Sequence, residues 1–142
     1  MKMLTRSLAV LAGAVILASC STMHGMMGGS GSVELTGANE VPGNDSMAKG
    51  SGTVKIADDH SVTADITVTG MTATAAHIHQ GAKGSNGPVI VPFTKSGDNH
   101  FVSPPGAKLT DAQYDAYKAG NLYVNVHSSA HPGGEVRAQL AP

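Results

Sequence analysis

The sequence predicts an all-β fold: an antiparallel sandwich or barrel of about seven or eight short strands, with one short helix before the penultimate strand. Three observations carry this. Apolar residues recur at every second position in several stretches, the spacing of a strand with one buried face. Clusters of Gly, Pro, Asn, Asp and Ser separate those stretches. Only one stretch has the end signals of a helix. Aromatic residues make up 4% of the chain and Trp is absent, so the core must be built from Val, Ile, Leu and Ala.

The elements follow in order. Val33 and Leu35 alternate with Glu34 and Thr36, and turn residues then run from Gly37 to Asn44. Val54 and Ile56 alternate with Thr53 and Lys55, and Asp58-Asp59-His60 suits a hairpin turn. Val62, Ala64, Ile66 and Val68 form the clearest half-buried strand, ending at Gly70. Ala75 to Gln80 is a strand carrying His77 and His79, followed by a glycine-rich loop from Gly81 to Pro88. That loop is no phosphate loop, because no Gly-Lys-Ser/Thr closes it and no helix follows. Val89–Phe93 and Asn99–Ser103 are short strands. Thr110 caps a helix, with Gln113 at capping-box spacing, Asp111 in the first turn and Gly120 at the end. Leu109, Tyr114 and Tyr117 can lie against the domain, and the helix is read as a connector. Leu122, Val124 and Val126 then alternate with Tyr123, Asn125 and His127, and Val136, Ala138 and Leu140 alternate with Glu135, Arg137 and Gln139.

The N-terminus has the pattern of a lipoprotein signal. Lys2 and Arg6 precede a short apolar run, Leu8 to Leu17, which ends in Leu17-Ala18-Ser19-Cys20. Residues 1–19 are therefore expected to be removed and Cys20, the only cysteine, to be lipidated; several acyl chains anchor stably where one does not. Ser21 in place of Asp goes with sorting to the outer membrane in Gram-negative lipoproteins, so the expected location is the cell envelope, facing the periplasm. Residues 20–32 are a Gly/Ser/Met-rich tether and residues 33–142 one domain. Met23, His24, Met26 and Met27 place soft ligands suited to Cu(I) on that tether, or are incidental to a linker. Removing residues 1–19 takes two of the nine basic residues and none of the ten acidic ones. No basic patch remains to attract nucleic acid.

One constellation carries specific chemistry. His77 and His79 flank Ile78 on a strand and project to the same face, and His127 lies opposite the apolar face of its own strand. Should the two strands pair, His127 comes within reach of an ion shared with the pair. Three imidazoles suit Cu(II), Zn(II) or Ni(II), with copper bound tightest among the divalent ions. His131, on the following turn, is a candidate fourth ligand. Asn125, Glu135 and Arg137 are candidates to hold the imidazoles' other ring nitrogens. The plain alternative is a set of hydrogen-bonded surface histidines.

Several motifs in order then carry a resemblance. Glu40-Val41-Pro42, Ala76-His77-Ile78-His79, Asn86-Gly87-Pro88, the Leu109-Thr110 helix start, Ala119 to His127, and Pro132-Gly133-Gly134-Glu135-Val136-Arg137 together resemble the CHRD domain, named after chordin and found in many bacterial secreted proteins. The resemblance covers about residues 33–140. One departure is Ala138, where the family usually has Gly between Arg and Gln. The resemblance implies an immunoglobulin-like β-sandwich and little about activity, since fold does not fix function. The His-x-His spacing is also similar to the copper-binding strand of Cu/Zn superoxide dismutases.

The expected function is thus a lipid-anchored periplasmic protein that binds a metal ion, copper before zinc, for storage, delivery or stress tolerance. One alternative is an envelope binding or structural module without a metal. Another is a dismutase-like redox protein, which needs a charged residue such as Arg137 to steer the anion. No Ser/His/Asp order appears and Asp58-Asp59 reads as solvated charge, so the chain is read as a binding protein rather than an enzyme.

Overall fold

A computed structural model of the protein describes residues 31–142. The expected signal peptide, the Cys20 lipidation site and the tether ligands Met23, His24, Met26 and Met27 lie outside the described residues. Nine antiparallel strands form one sheet: β1 (Ser32–Thr36), β2 (Lys49–Ile56), β3 (Val62–Thr69), β4 (Ala73–Gln80), β5 (Val89–Pro92), β6 (Thr94–Gly97), β7 (His100–Val102), β8 (Leu122–Ser128) and β9 (Val136–Leu140). Helix α1 (Asp111–Lys118) precedes β8, the penultimate strand. Among the described residues, the expected all-β architecture with one short helix is what forms.

The sheet order is β5-β4-β8-β9-β1-β2-β3-β7-β6. Its two end strands, β5 and β6, are consecutive in the chain and separated only by Phe93. At that corner the Phe93 N–H donates to Ala76 O at 2.9 Å, and Lys95 Nζ donates to Ala73 O at 2.9 Å. The sheet therefore curls almost into a closed barrel, which leaves little free edge.

Inside the barrel the alternating apolar positions meet. Leu35, Ile66, Ile78, Leu122, Val124, Val126 and Val136 are all fully buried. β3 alternates buried and exposed along its whole length, as a strand with one wet face should. β8 does not: all seven of its residues are buried. Its inner face packs on the apolar core. Its outer face, Tyr123, Asn125 and His127, is covered as well.

Two strand features escape period-two reading. The first half of β2, Lys49-Gly50-Ser51-Gly52, lacks apolar residues yet pairs with both β1 and β3. A Cβ on Gly50 would sit 3.0 Å from Leu35 Cβ, and one on Gly52 would collide with the Asp65 carbonyl. Glycine here permits close approach of neighbouring strands. β6 is exposed at all four positions and has no apolar face to signal it.

The helix forms as its ends dictate. Thr110 Oγ1 accepts from the Gln113 N–H at 3.2 Å, and Gln113 Oε1 accepts from the Thr110 N–H at 2.9 Å. Gly120 takes φ 75° beyond the last turn. Leu109 is buried, and Tyr114 and Tyr117 pack partly buried against the core.

Ile78 sits at the centre of this core and directly behind the two histidines of β4. Ile78→Ala should destabilise the domain by about 2–5 kcal/mol, the cost of a buried large-to-small change. Chemical denaturation followed by circular dichroism measures this, with the midpoint falling and the slope unchanged.

Candidate functional site

The site is built on the outer face of β4, β8 and β9. β4 and β8 pair with His77 opposite Asn125 and His79 opposite Tyr123, while β9 brings Arg137 opposite Asn125. Alternation then puts His77, His79, Tyr123, Asn125, His127, Arg137 and Gln139 on one face. In an exposed sheet this would be a wet surface. Here loops cover it. Asn39 Nδ2 donates to Arg137 O, Asn44 Nδ2 to Glu135 O, and Asn86 Nδ2 to Val41 O, at 2.7–3.1 Å.

His77, His79 and His127 come together, each offering one ring nitrogen, with all three nitrogens within 4.8 Å of one another. His79 and His127 are each 8% exposed, and His77 is partly buried. Two of the rings are oriented from behind. His79 Nδ1 donates to Gly87 O at 2.9 Å, and His127 Nδ1 donates to Pro132 O at 2.9 Å. A carbonyl only accepts, so both protons sit on Nδ1 and both Nε2 atoms carry lone pairs. His127 Nε2 accepts from His77 Nδ1 at 3.0 Å. His79 Nε2 is buried with no hydrogen-bond partner. An orphaned imidazole lone pair beside two other imidazoles is a fit for a cation. With metal–nitrogen bonds of ~2 Å, two donors on one ion stand at most ~4 Å apart, so the three rings must close in from their present spacing to share an ion.

Burial disfavours the charged form of two of these rings. Burial pushes the His77 ring down to about 4, helped by the neighbouring His127 and His79. Burial likewise lowers His79, against the opposing bond to Gly87. Neutral imidazole is the form that binds metal.

The other predicted residues divide. Asn125, 2% exposed, lies against both the His79 ring and the Glu40 carboxyl. Arg137, 1% exposed, holds a loop rather than a ring. Its Nη2 donates to Ser85 O at 2.8 Å and Nη1 to Asn86 Oδ1 at 3.1 Å, and its guanidinium lies 3.4 Å from the Tyr123 ring centre. Tyr123 in turn stacks on His79, with ring centres 4.8 Å apart. Glu135 binds Ser46 Oγ at 2.5 Å and also accepts from Ser128 Oγ, which ties the loop before β2 to the β8–β9 turn. His131 stands outside the three-histidine set. It lines a groove of ≈ 330 Å³ with Glu40, Asn44, Asn86 and Pro132.

Sequence reading missed Glu40, Tyr123 and Gly87. Glu40 lies in a run of turn residues, where a buried carboxylate has no periodic signal. It is 7% exposed, and burial raises its carboxyl to about 7, while Arg137 and Asn125 pull it down. Gly87 could be found only as a glycine in a loop. A Cβ there would strike the Gln80 carbonyl, so no other residue lets its own carbonyl reach His79 in this way.

Comparison with known proteins adds one finding. Residues 31–140 match the CHRD domain family model. The chain belongs to that family. No curated protein and no solved structure matches the chain.

Two of the shifted groups, His77 and Glu40, give opposite pH limbs. His77 has a folded value of about 4 against 6.5, so its contribution is present above 6.5 and lost as pH falls towards 4. Glu40 has a folded value of about 7 against 4.5, so its contribution is present below 4.5 and lost as pH rises through 7. Thermal unfolding with a chelator present should show His77→Gln flattening the acid limb and Glu40→Gln flattening the upper one. An acid limb unchanged in His77→Gln would contradict the assignment.

Proposed function

We propose that this CHRD-domain protein binds one transition-metal ion, copper in the first place and zinc in the second, through His77, His79 and His127. The observation that carries the reading is the buried His79 Nε2, partnerless and beside two further imidazoles, while carbonyls hold the far nitrogens of His79 and His127. Structural and catalytic metal sites use this arrangement, with backbone carbonyls fixing tautomer and ring angle. Three neutral imidazoles favour copper among divalent ions by the usual order, and zinc accepts the same donors. His131 lines the neighbouring groove and lies outside the three-nitrogen set.

The wider reading follows from the sequence. A lipid on Cys20 would tether the domain to the envelope, outer membrane and periplasmic side, with residues 20–32 as the tether. Metal storage, delivery or stress tolerance suits such a placement. Met23, His24, Met26 and Met27 would then offer Cu(I) a second, softer set of ligands. A dismutase-like activity is less well supported, because Arg137 is buried and engaged by loop oxygens, where it cannot steer an anion from solvent.

One observation favours a reading without a metal. The 3.0 Å bond between His77 and His127 satisfies two of the imidazoles by themselves. A metal-free envelope module would keep the three histidines as a hydrogen-bonded patch. Titration of the purified chain with Cu(II), Cu(I) and Zn(II) separates the two. One ion per chain should bind, and His77→Ala/His79→Ala should weaken it by at least about 10-fold, the smallest loss expected when a metal's support is removed. Equal binding by the wild type and the double variant would sink the metal reading.

A further inference from the structure

Behind the histidines lies a second group of buried polar atoms that also lack partners. Glu40 Oε1 and Asn125 Oδ1 are both buried without a hydrogen bond, like His79 Nε2. Glu40 and Asn125 meet over a residue with no side chain. A Cβ built on Gly134 would lie 2.5 Å from Glu40 Oε1 and 2.6 Å from Asn125 Nδ2. Asn125 stands opposite His77 in the register of β4 and β8, and its carboxamide also lies against the His79 ring. A carboxyl group, a carboxamide and a candidate ligand are thus in sequence through space. Glu40 itself is not part of the three-nitrogen set.

We propose that Glu40 is the counter-charge of the metal site, and that its carboxylate, placed one carboxamide away from His79, makes the three histidines prefer a divalent ion over a monovalent one. This inference rests on the metal reading above. Three imidazoles bring no charge to balance an ion. The nearby Arg137 guanidinium adds a further buried positive charge, which already attracts the Glu40 carboxyl while its hydrogen bonds go to carbonyl and amide oxygens. A dication in that setting is costly unless an anion is close. Coulomb energy scales with the charge on the ion, so the Glu40 carboxyl, in its ionised form, favours a dication twice as strongly as a monocation, and the titrations are run at a pH above 7 where that form prevails. Glu40 is a positioning residue in this scheme: it sets the field at the ligands and touches none of the reacting atoms.

The test is a competition titration of the purified full chain with Cu(II), Zn(II) and Cu(I), in the wild type and in Glu40→Gln. His77→Ala/His79→Ala gives the baseline for copper held elsewhere in the chain. Glu40→Gln should weaken Cu(II) and Zn(II) by about 10-fold, the lower end for loss of a group supporting a metal site. Cu(I) should weaken by only about threefold, since its charge is half. The copper midpoint potential should then rise by about 30 mV, half of the ~59 mV that a tenfold change is worth for one electron. Cu(II) and Cu(I) weakened by the same factor, or neither weakened, would overturn the inference and leave the metal site standing. A wild type that binds no tighter than the double histidine variant would instead overturn the site. If Glu40→Gln does not fold, Glu40→Asp is read: it keeps the charge, and should lose less Cu(II) affinity while leaving Cu(I) nearly unchanged. Equal losses in that variant also overturn the proposal.

Discussion

A buried guanidinium organises the outer layer of this domain. Arg137 is 1% exposed, and its hydrogen bonds reach Ala82 O, Ser85 O, Asn86 Oδ1 and Gln139 Oε1. Taking such a charge out of water costs several kcal/mol unless its donors are used. Using them means the Gly81–Pro88 loop must fold back over β9. That loop carries Gly87, whose carbonyl accepts from His79 Nδ1 and whose N–H donates to Tyr123 Oη at 3.1 Å. Tyr123 lies on β8, between the strands of His79 and Arg137, and stacks with both. The orientation of a candidate ligand is therefore set by a cation on another strand, through one loop and one aromatic ring.

The charges on this face form a closed problem. Burial disfavours the charged forms of His77, His79 and Glu40, while the Arg137 donors are met by carbonyl and amide oxygens. Each group restrains the others across a layer only one side chain deep. Glu135, by contrast, is answered locally. Burial works to raise its carboxyl, and the hydroxyls of Ser128 and Ser46 outweigh this and lower it. Its work is to pin the turn whose Pro132 carbonyl orients His127.

Much of this was legible from alternation alone. Ile78 between two histidines, and Val124 and Val126 among Tyr123, Asn125 and His127, placed core and polar faces on β4 and β8 without any structure. The capping residues of Thr110 and Gln113 placed the helix. What alternation could not show was cover. It treated the polar face as facing water or a cleft, whereas the loops that seal it come from Gly37–Ala48, Gly81–Pro88 and the β8–β9 turn. The Gly81–Pro88 loop and the β8–β9 turn orient the rings through backbone carbonyls, which every residue possesses, so composition carries no trace of that role. Glu40 was hidden for the same reason, sitting among turn residues far from the strands it serves. The exposed β6 and the glycine-bearing start of β2 have no apolar period to detect.

The interleaving of the two faces restricts how the chain can change in length. In β4, β8 and β9 each core residue has site-face neighbours on either side, such as Ile78 between His77 and His79. Inserting or deleting one residue within such a strand swaps its faces, driving imidazoles into the apolar interior and exposing Ile or Val. The loops that supply the Gly87 and Pro132 carbonyls are nearly as constrained, because a shifted carbonyl releases a ring. Insertions and deletions should therefore gather in turns without these duties, such as Ala57–Ser61 and Ser103–Ala107. Gly106 there has no neighbouring atom within 4 Å of where a Cβ would stand. Length variation is thus confined by parity: the strands bearing the histidines admit no single-residue change, and turns that orient no imidazole absorb it.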